Sequence, residues 1–150
     1  MTFAETDVID WTELLSHLAH LGAAFALALP VAWNREHRER SAGLRTFPLV
    51  ALASCAFVRT AMATFGTDTE PLARVFAGLI TGVGFIGGGA ILKSGDRVKG
   101  TATASGLWCT GALGAAVALE RYEIALLVAA LTFVTLAWLG RFKPENNEGN

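Results

Sequence analysis

From Val75 to Leu92 the chain carries no charged residue, yet it holds Gly78, Gly82, Gly84, Gly87, Gly88 and Gly89. No other stretch restricts the fold so tightly. As a helix rising ~1.5 Å per residue the run covers about 27 Å, close to the ~30 Å hydrocarbon core of a bilayer. A short basic loop, KSGDRVKG, joins it to a second small-residue run beginning TATASGLW. The pattern predicts a membrane hairpin over Val75 to Trp108.

The glycines need a physical reason, because each costs a helix interior about 1 kcal/mol relative to Ala in water. In lipid, small residues four apart let another helix approach to backbone contact, and Gly78 with Gly82, and Gly84 with Gly88, have that spacing. The first expectation is therefore a packing face. An alternative is that Gly87 to Gly89 interrupts the helix and frees backbone groups for an ion or ligand, as broken helices do in transporters. Gly82, Gly84 and Gly87 also spell G-x-G-x-x-G, but a dinucleotide site needs a preceding strand, an amphipathic helix and an acidic residue about 20 positions on. Nothing acidic lies near position 107. The following residues GGAILKSGD also make a poor amphipathic helix, so a nucleotide site is disfavoured.

A content of 53% hydrophobic and 17% charged residues would also suit an apolar soluble domain. What argues for a membrane is segregation: charges cluster in short segments between long apolar runs. The net charge of −1 gives no reason for a nucleic-acid partner. The acidic start MTFAETDVIDWTE differs from the basic start of a secretory signal, so no cleavable signal is expected. Cys55 and Cys109 fall inside apolar runs and read as small packing residues rather than a disulfide.

The fold class expected is all-α, a polytopic membrane bundle of about five helices over approximately Leu14–Trp33, Phe47–Phe65, Val75–Leu92, Thr101–Leu119 and Ile124–Gly140. Residues 1–13 form an acidic N-terminal segment, 14–143 the transmembrane domain and 144–150 a polar, disordered tail. The segment Asn34 to Thr46 reads as a charged loop. With five spans, Arg35, Arg38, Arg40, Arg45, Lys93, Arg97, Lys99, Arg141 and Lys143 all fall on one side. The positive-inside rule then places the N-terminus outside and the C-terminus in the cytoplasm.

Several polar residues stand inside or beside the spans. His17 and His20 share a helix face with Glu13 four residues before His17; they read as interfacial polar groups or, alternatively, as a metal or proton site. Arg59 interrupts the second span and lies ~21 Å up the helix from Arg45, near enough to the far surface to snorkel. Asp68, Glu70 and Glu120 are its candidate counter-charges. Arg74 sits in the first turn of span three, where a cation opposes the helix dipole, so it calls for a partner such as Glu70 or Asp68. Trp108, near the middle of span four, is expected at a helix contact.

Three blocks carry a family resemblance: AGLRT at 42–46, GVGFIGGGAIL at 82–92 and VKGTATASGLWCTGALGAA at 98–116. Together they resemble the signature of the MgtC/SapB bacterial membrane proteins, with their mutual spacing kept from about Ala32 to Tyr122. Arg35, Glu36, Gly43, Leu44, Arg45 and Thr46 match the first block. Arg74, Ala77, Gly82, Gly84, Phe85, Gly87, Gly89, Ile91, Val98, Gly100, Thr103, Ala104 and Trp108 match the later ones. Cys109 resembles the residue after Trp in virulence-associated members. Asn34, Pro71, Gly78 and Ala102 depart from the pattern, each removing a polar or acidic group that a cation or partner site would use.

The resemblance implies a bacterial inner-membrane protein of the short form, without the soluble C-terminal domain of some members. Its implied role is adaptation to low magnesium or survival inside host cells, exercised by regulating or associating with other membrane proteins. The partners expected are the lipid bilayer and other membrane proteins or a second copy, reached through the glycine-rich faces. A small cation (Mg²⁺) or solute transporter is the alternative; Glu36, Arg59, Glu70 and Arg74 are its candidate polar residues. No cofactor is expected. An enzyme is disfavoured because His17 and His20 have no nucleophile at the same depth: Ser54 is deeper and Ser105 lies at the opposite end of its helix.

Overall fold

The computed structural model describes residues 10–38, 42–94 and 97–138. The expectations for residues 1–9 of the acidic segment and for the 144–150 tail lie outside these described residues, as do Arg40, Arg141 and Lys143. Five helices and one small hairpin follow one another in the chain.

Helix α1 spans Trp11–Arg38. It is capped by Asp10, whose carboxylate accepts from the N–H groups of Thr12 and Glu13 at 2.9 and 3.4 Å. It continues past Pro30, which forfeits only one backbone hydrogen bond. It also continues through Asn34 to Arg38, so the charged loop expected to begin at Asn34 starts after Arg38 instead. The correction has a simple cause: Arg and Glu are good helix formers, and cations suit a helix C-terminus.

Helix α2 spans Thr46–Phe65 and stops at Gly66, whose φ of 59° lies in the left-handed region open to glycine. Helix α3 spans Thr69–Gly89, with the Asp68 side chain accepting from the Glu70 N–H at 3.3 Å. It ends three residues short of the expected Leu92. The Ala90 and Ile91 N–H groups close onto the Gly87 and Gly88 carbonyls at 3.0 and 3.1 Å. Strands β1, Leu92–Ser94, and β2, Arg97–Lys99, then pair antiparallel with Leu92 opposite Lys99. The basic loop thus contains a short antiparallel strand pair, and the weak helix propensity of three successive glycines sets its start.

Gly100, with φ 89°, turns the chain into helix α4, Thr101–Ala118; a Cβ there would collide with the Ala90 carbonyl. Helix α5 spans Tyr122–Trp138. By length and composition the helices over Trp11–Glu36, Thr46–Phe65 and Thr69–Gly89 can each cross a membrane.

Helix α4 is the hub and contacts all four other helices. Its residues Leu113 and Ala115 to Ala118 pack with Ala24 and Ala28 of α1 and with Ala51, Cys55 and Val58 of α2. A second cluster joins Leu107 to Val31, Phe47, Val50, Val83 and Leu136. The outer surface carries many large apolar side chains: Phe57, Phe85 and Leu131 are 61%, 85% and 65% exposed. So much outward-facing hydrocarbon marks a membrane protein, since soluble monomers seldom expose large contiguous apolar patches.

Candidate functional site

Two polar clusters sit at opposite ends of the bundle. Along α1 they are 15 residues apart, from His20 to Arg35, about 22 Å at helical rise. Nothing charged intervenes on that helix.

At the end that carries the β1–β2 hairpin, Arg35 is 4% exposed and its Nη2 donates to Thr103 Oγ1 at 2.8 Å. Thr103 is itself fully buried in the first turn of α4. The bond ties α1 to α4 across 68 residues of sequence, and a buried charge-assisted hydrogen bond of this kind is strong. Beside it the Glu36 carboxylate folds back and accepts from the Leu44 N–H at 3.0 Å. Gly43 makes this possible, because a Cβ there would collide with the Glu36 carboxylate. The Gly43 carbonyl in turn accepts from the Thr46 and Phe47 N–H groups at 3.1 and 3.2 Å, starting α2. Arg35, Glu36, Gly43 and Thr103 therefore form one unit. Arg45, at the N-cap of α2, is exposed, and the first turn of that helix has no carboxylate.

At the other end, Glu120 gathers partners from two helices. Its Oε1 lies 3.4 Å from His20 Nε2 and 3.8 Å from the Arg59 guanidinium. His20 Nδ1 is 2.6 Å from the Ser16 carbonyl, which can only accept, so Nδ1 carries a proton. The His20 ring stacks on Tyr122 with centroids 6.2 Å apart. Glu120 adopts a φ of 60°, unusual for a residue other than glycine, in the tight turn between α4 and α5. Of the three candidate counter-charges for Arg59, Glu120 is the one beside it.

The local spacing of Glu13, His17 and His20 suggests a shared site, but the side chains separate. His17 Nε2 faces Glu13 at 3.5 Å, while His20 turns to Glu120. Among the described residues no three His, Cys, Asp or Glu side chains converge as a metal site. Arg74 pairs with Glu70 at 2.7 Å, one turn away and exposed. This pair stands apart from both clusters.

The two glycine-rich helices differ sharply. On α4, a Cβ at Gly106 would press on Phe47 at 3.1 Å, one at Gly111 on Val83 at 2.9 Å, and one at Gly114 would collide with the Ala51 carbonyl. On α3, a Cβ at Gly87 would meet the Ala104 carbonyl at 3.2 Å, but one at Gly78, Gly82, Gly84, Gly88 or Gly89 would find no neighbour within 4 Å. Helix α3 stays helical through Gly89, so the interruption considered at Gly87 to Gly89 does not occur. Phe85 points outward. Trp108, expected at a helix contact, is 53% exposed and stands on the wall of a smaller cleft of about 290 Å³ between α3 and α4. Its amphipathic ring can rest along an apolar cleft without being enclosed. Cys109 is half-buried next to it and Cys55 is buried; both thiols are free.

Between α2 and α3 runs a larger groove of about 990 Å³, walled by residues from Arg45 to Phe65 on one side and from Val75 to Ile86 on the other. Gly78 and Gly82 line it; Gly84 and Gly88 do not. At ~100° per residue the latter pair faces away from the groove.

The MgtC family matches residues 21–144 of this chain. An uncharacterized protein of Synechocystis sp. is 42% identical over 106 residues, covering 71% of this chain and 43% of that protein. Protein MgtC of Brucella abortus is 41% identical over 104 residues, 69% of this chain and 43% of its own length. Protein MgtC of Salmonella typhimurium is 34% identical over 113 residues, 75% of this chain and 48% of its own. This chain thus spans less than half the length of these relatives. No solved structure matches it. The three motif blocks, the helical architecture and these matches agree: the chain belongs to the MgtC family.

Proposed function

We propose that this chain is an inner-membrane protein that acts by associating with other membrane proteins, in the adaptation to low magnesium or to life inside host cells that family resemblance implies. The observation that carries this reading is the open face of α3. Gly84 and Gly88, four apart on a helix long enough to cross a membrane, have no close neighbour among the described residues. In lipid, burying such a face requires another helix, and close backbone approach is what small residues permit.

Arg35, Arg45, Lys93 and Lys99 all belong to the hairpin end. The positive-inside rule favours the cytoplasm for that end and the exterior for the His20–Glu120 end. The alternative, a small cation or solute transporter, keeps Arg59, Arg74 and the acidic turn before α3 as its polar residues, but not a helix interruption at Gly87 to Gly89.

Growth of a deletion strain across a magnesium series tests the physiological role. A defect confined to low magnesium, rescued by the wild-type chain and not by Gly84→Leu/Gly88→Leu, supports association through this face. Full rescue by the double variant would rule that face out.

A further inference from the structure

We propose that the groove between α2 and α3 is a binding site for an anionic phospholipid, with Arg45 holding the headgroup and the acyl chains lying along the apolar wall. The groove follows α2 for its whole length, about 30 Å at helical rise. Its walls are apolar, small or hydroxyl-bearing side chains, with one ionisable cation, Arg45, at one end and no carboxylate among the lining residues. An apolar trough with a single terminal cation is complementary to an amphiphile with an anionic head.

The charge at that mouth is reinforced by its setting. Arg45 stands at the N-cap of α2, where the helix dipole is positive, and no acidic residue occupies the first turn to offset it. The nearby Glu36 carboxylate is already engaged by the Leu44 N–H. The Thr46 hydroxyl, next along the wall, can donate to a phosphate or ester oxygen. A zwitterionic headgroup brings its own cation to this positive mouth, whereas an anionic one does not. Lower down, Gly82 and Gly78 recess the α3 wall at ~6 and ~12 Å from Ile86 along the helix, within reach of acyl chains entering from the Arg45 end.

The test is native mass spectrometry of the full-length chain released from bilayers of equimolar phosphatidylglycerol and phosphatidylcholine. The wild type is expected to retain phosphatidylglycerol with about fivefold preference, the contribution of one basic side chain at a membrane surface. Arg45→Gln should abolish the preference while still retaining lipid. Gly82→Leu should reduce retention of both lipids, and it fills space that is empty in the chain, so its thermal melt should match the wild type. Lys99→Gln, at the same end but outside the groove, should leave the preference unchanged. Equal retention of the two lipids by the wild type would overturn the proposal, as would an Arg45→Gln variant that keeps the preference. A lipid-free dimer dissociated by Gly82→Leu would overturn it too, assigning the groove to a second copy instead.

Discussion

Helices α3 and α4 are both rich in glycine, and they use it in opposite ways. On α4 the glycines are where neighbouring elements touch: Gly106 against Phe47, Gly111 against Val83, Gly114 against the Ala51 carbonyl. On α3 only Gly87 meets such a neighbour, and the remaining glycines look into open space. Small-xxx-small spacing therefore identifies a helix that can be approached closely, but not what approaches it. In α4 the answer lies within the chain; in α3, Gly87 apart, no described residue of the chain supplies it.

The sharpest way to break this comparison is to add one methyl group to each helix. Gly114→Ala is expected to cost roughly 3 kcal/mol, because its Cβ would meet backbone that cannot rotate away. A large fall in the detergent melting temperature would register it. Thr103→Val removes one acceptor of the buried Arg35 guanidinium and should cost about 1.5–3 kcal/mol. Thr103→Ser, which keeps the hydroxyl, should recover most of it. Gly82→Ala is the smallest effect: with nothing in contact and a better helix former in place, stability should stay level or rise by up to about 1 kcal/mol. A destabilisation by Gly82→Ala comparable with that of Gly114→Ala would erase the distinction.

How much of this was legible in the sequence depends on distance along the chain. The Arg74–Glu70 pair follows from i, i+4 spacing on one helix, and the structure places it there. Arg59 has three candidate counter-charges in the sequence, and only folding selects Glu120. The His20–Glu120 contact is hidden because local spacing joins His20 to His17 and Glu13, while its partner sits 100 residues on in the α4–α5 turn. The Arg35–Thr103 bond is present only as two matching family blocks whose meeting no periodicity could reveal. The end of α3 is misplaced for a different reason. Apolar composition continues to Leu92, but backbone pairing with Lys99 wins once three glycines have weakened the helix.

The contrast between the two glycine runs rests on which edge of α3 faces α4. In a chain with Cys55 and Cys109 replaced by Ala, cysteines at Val83 and Gly111 can test that edge by oxidative crosslinking in the native membrane. A Cβ at Gly111 lies 3.4 Å from Val83 Cβ, close to the lower end of the ~3.5–4.5 Å spacing of disulfides. Rapid intrachain crosslinking of Val83→Cys/Gly111→Cys is expected, with none for Gly82→Cys/Gly111→Cys or Gly84→Cys/Gly111→Cys. Equal crosslinking from the flanking positions, or Val83→Cys/Gly111→Cys bonds that form only between chains, would contradict it.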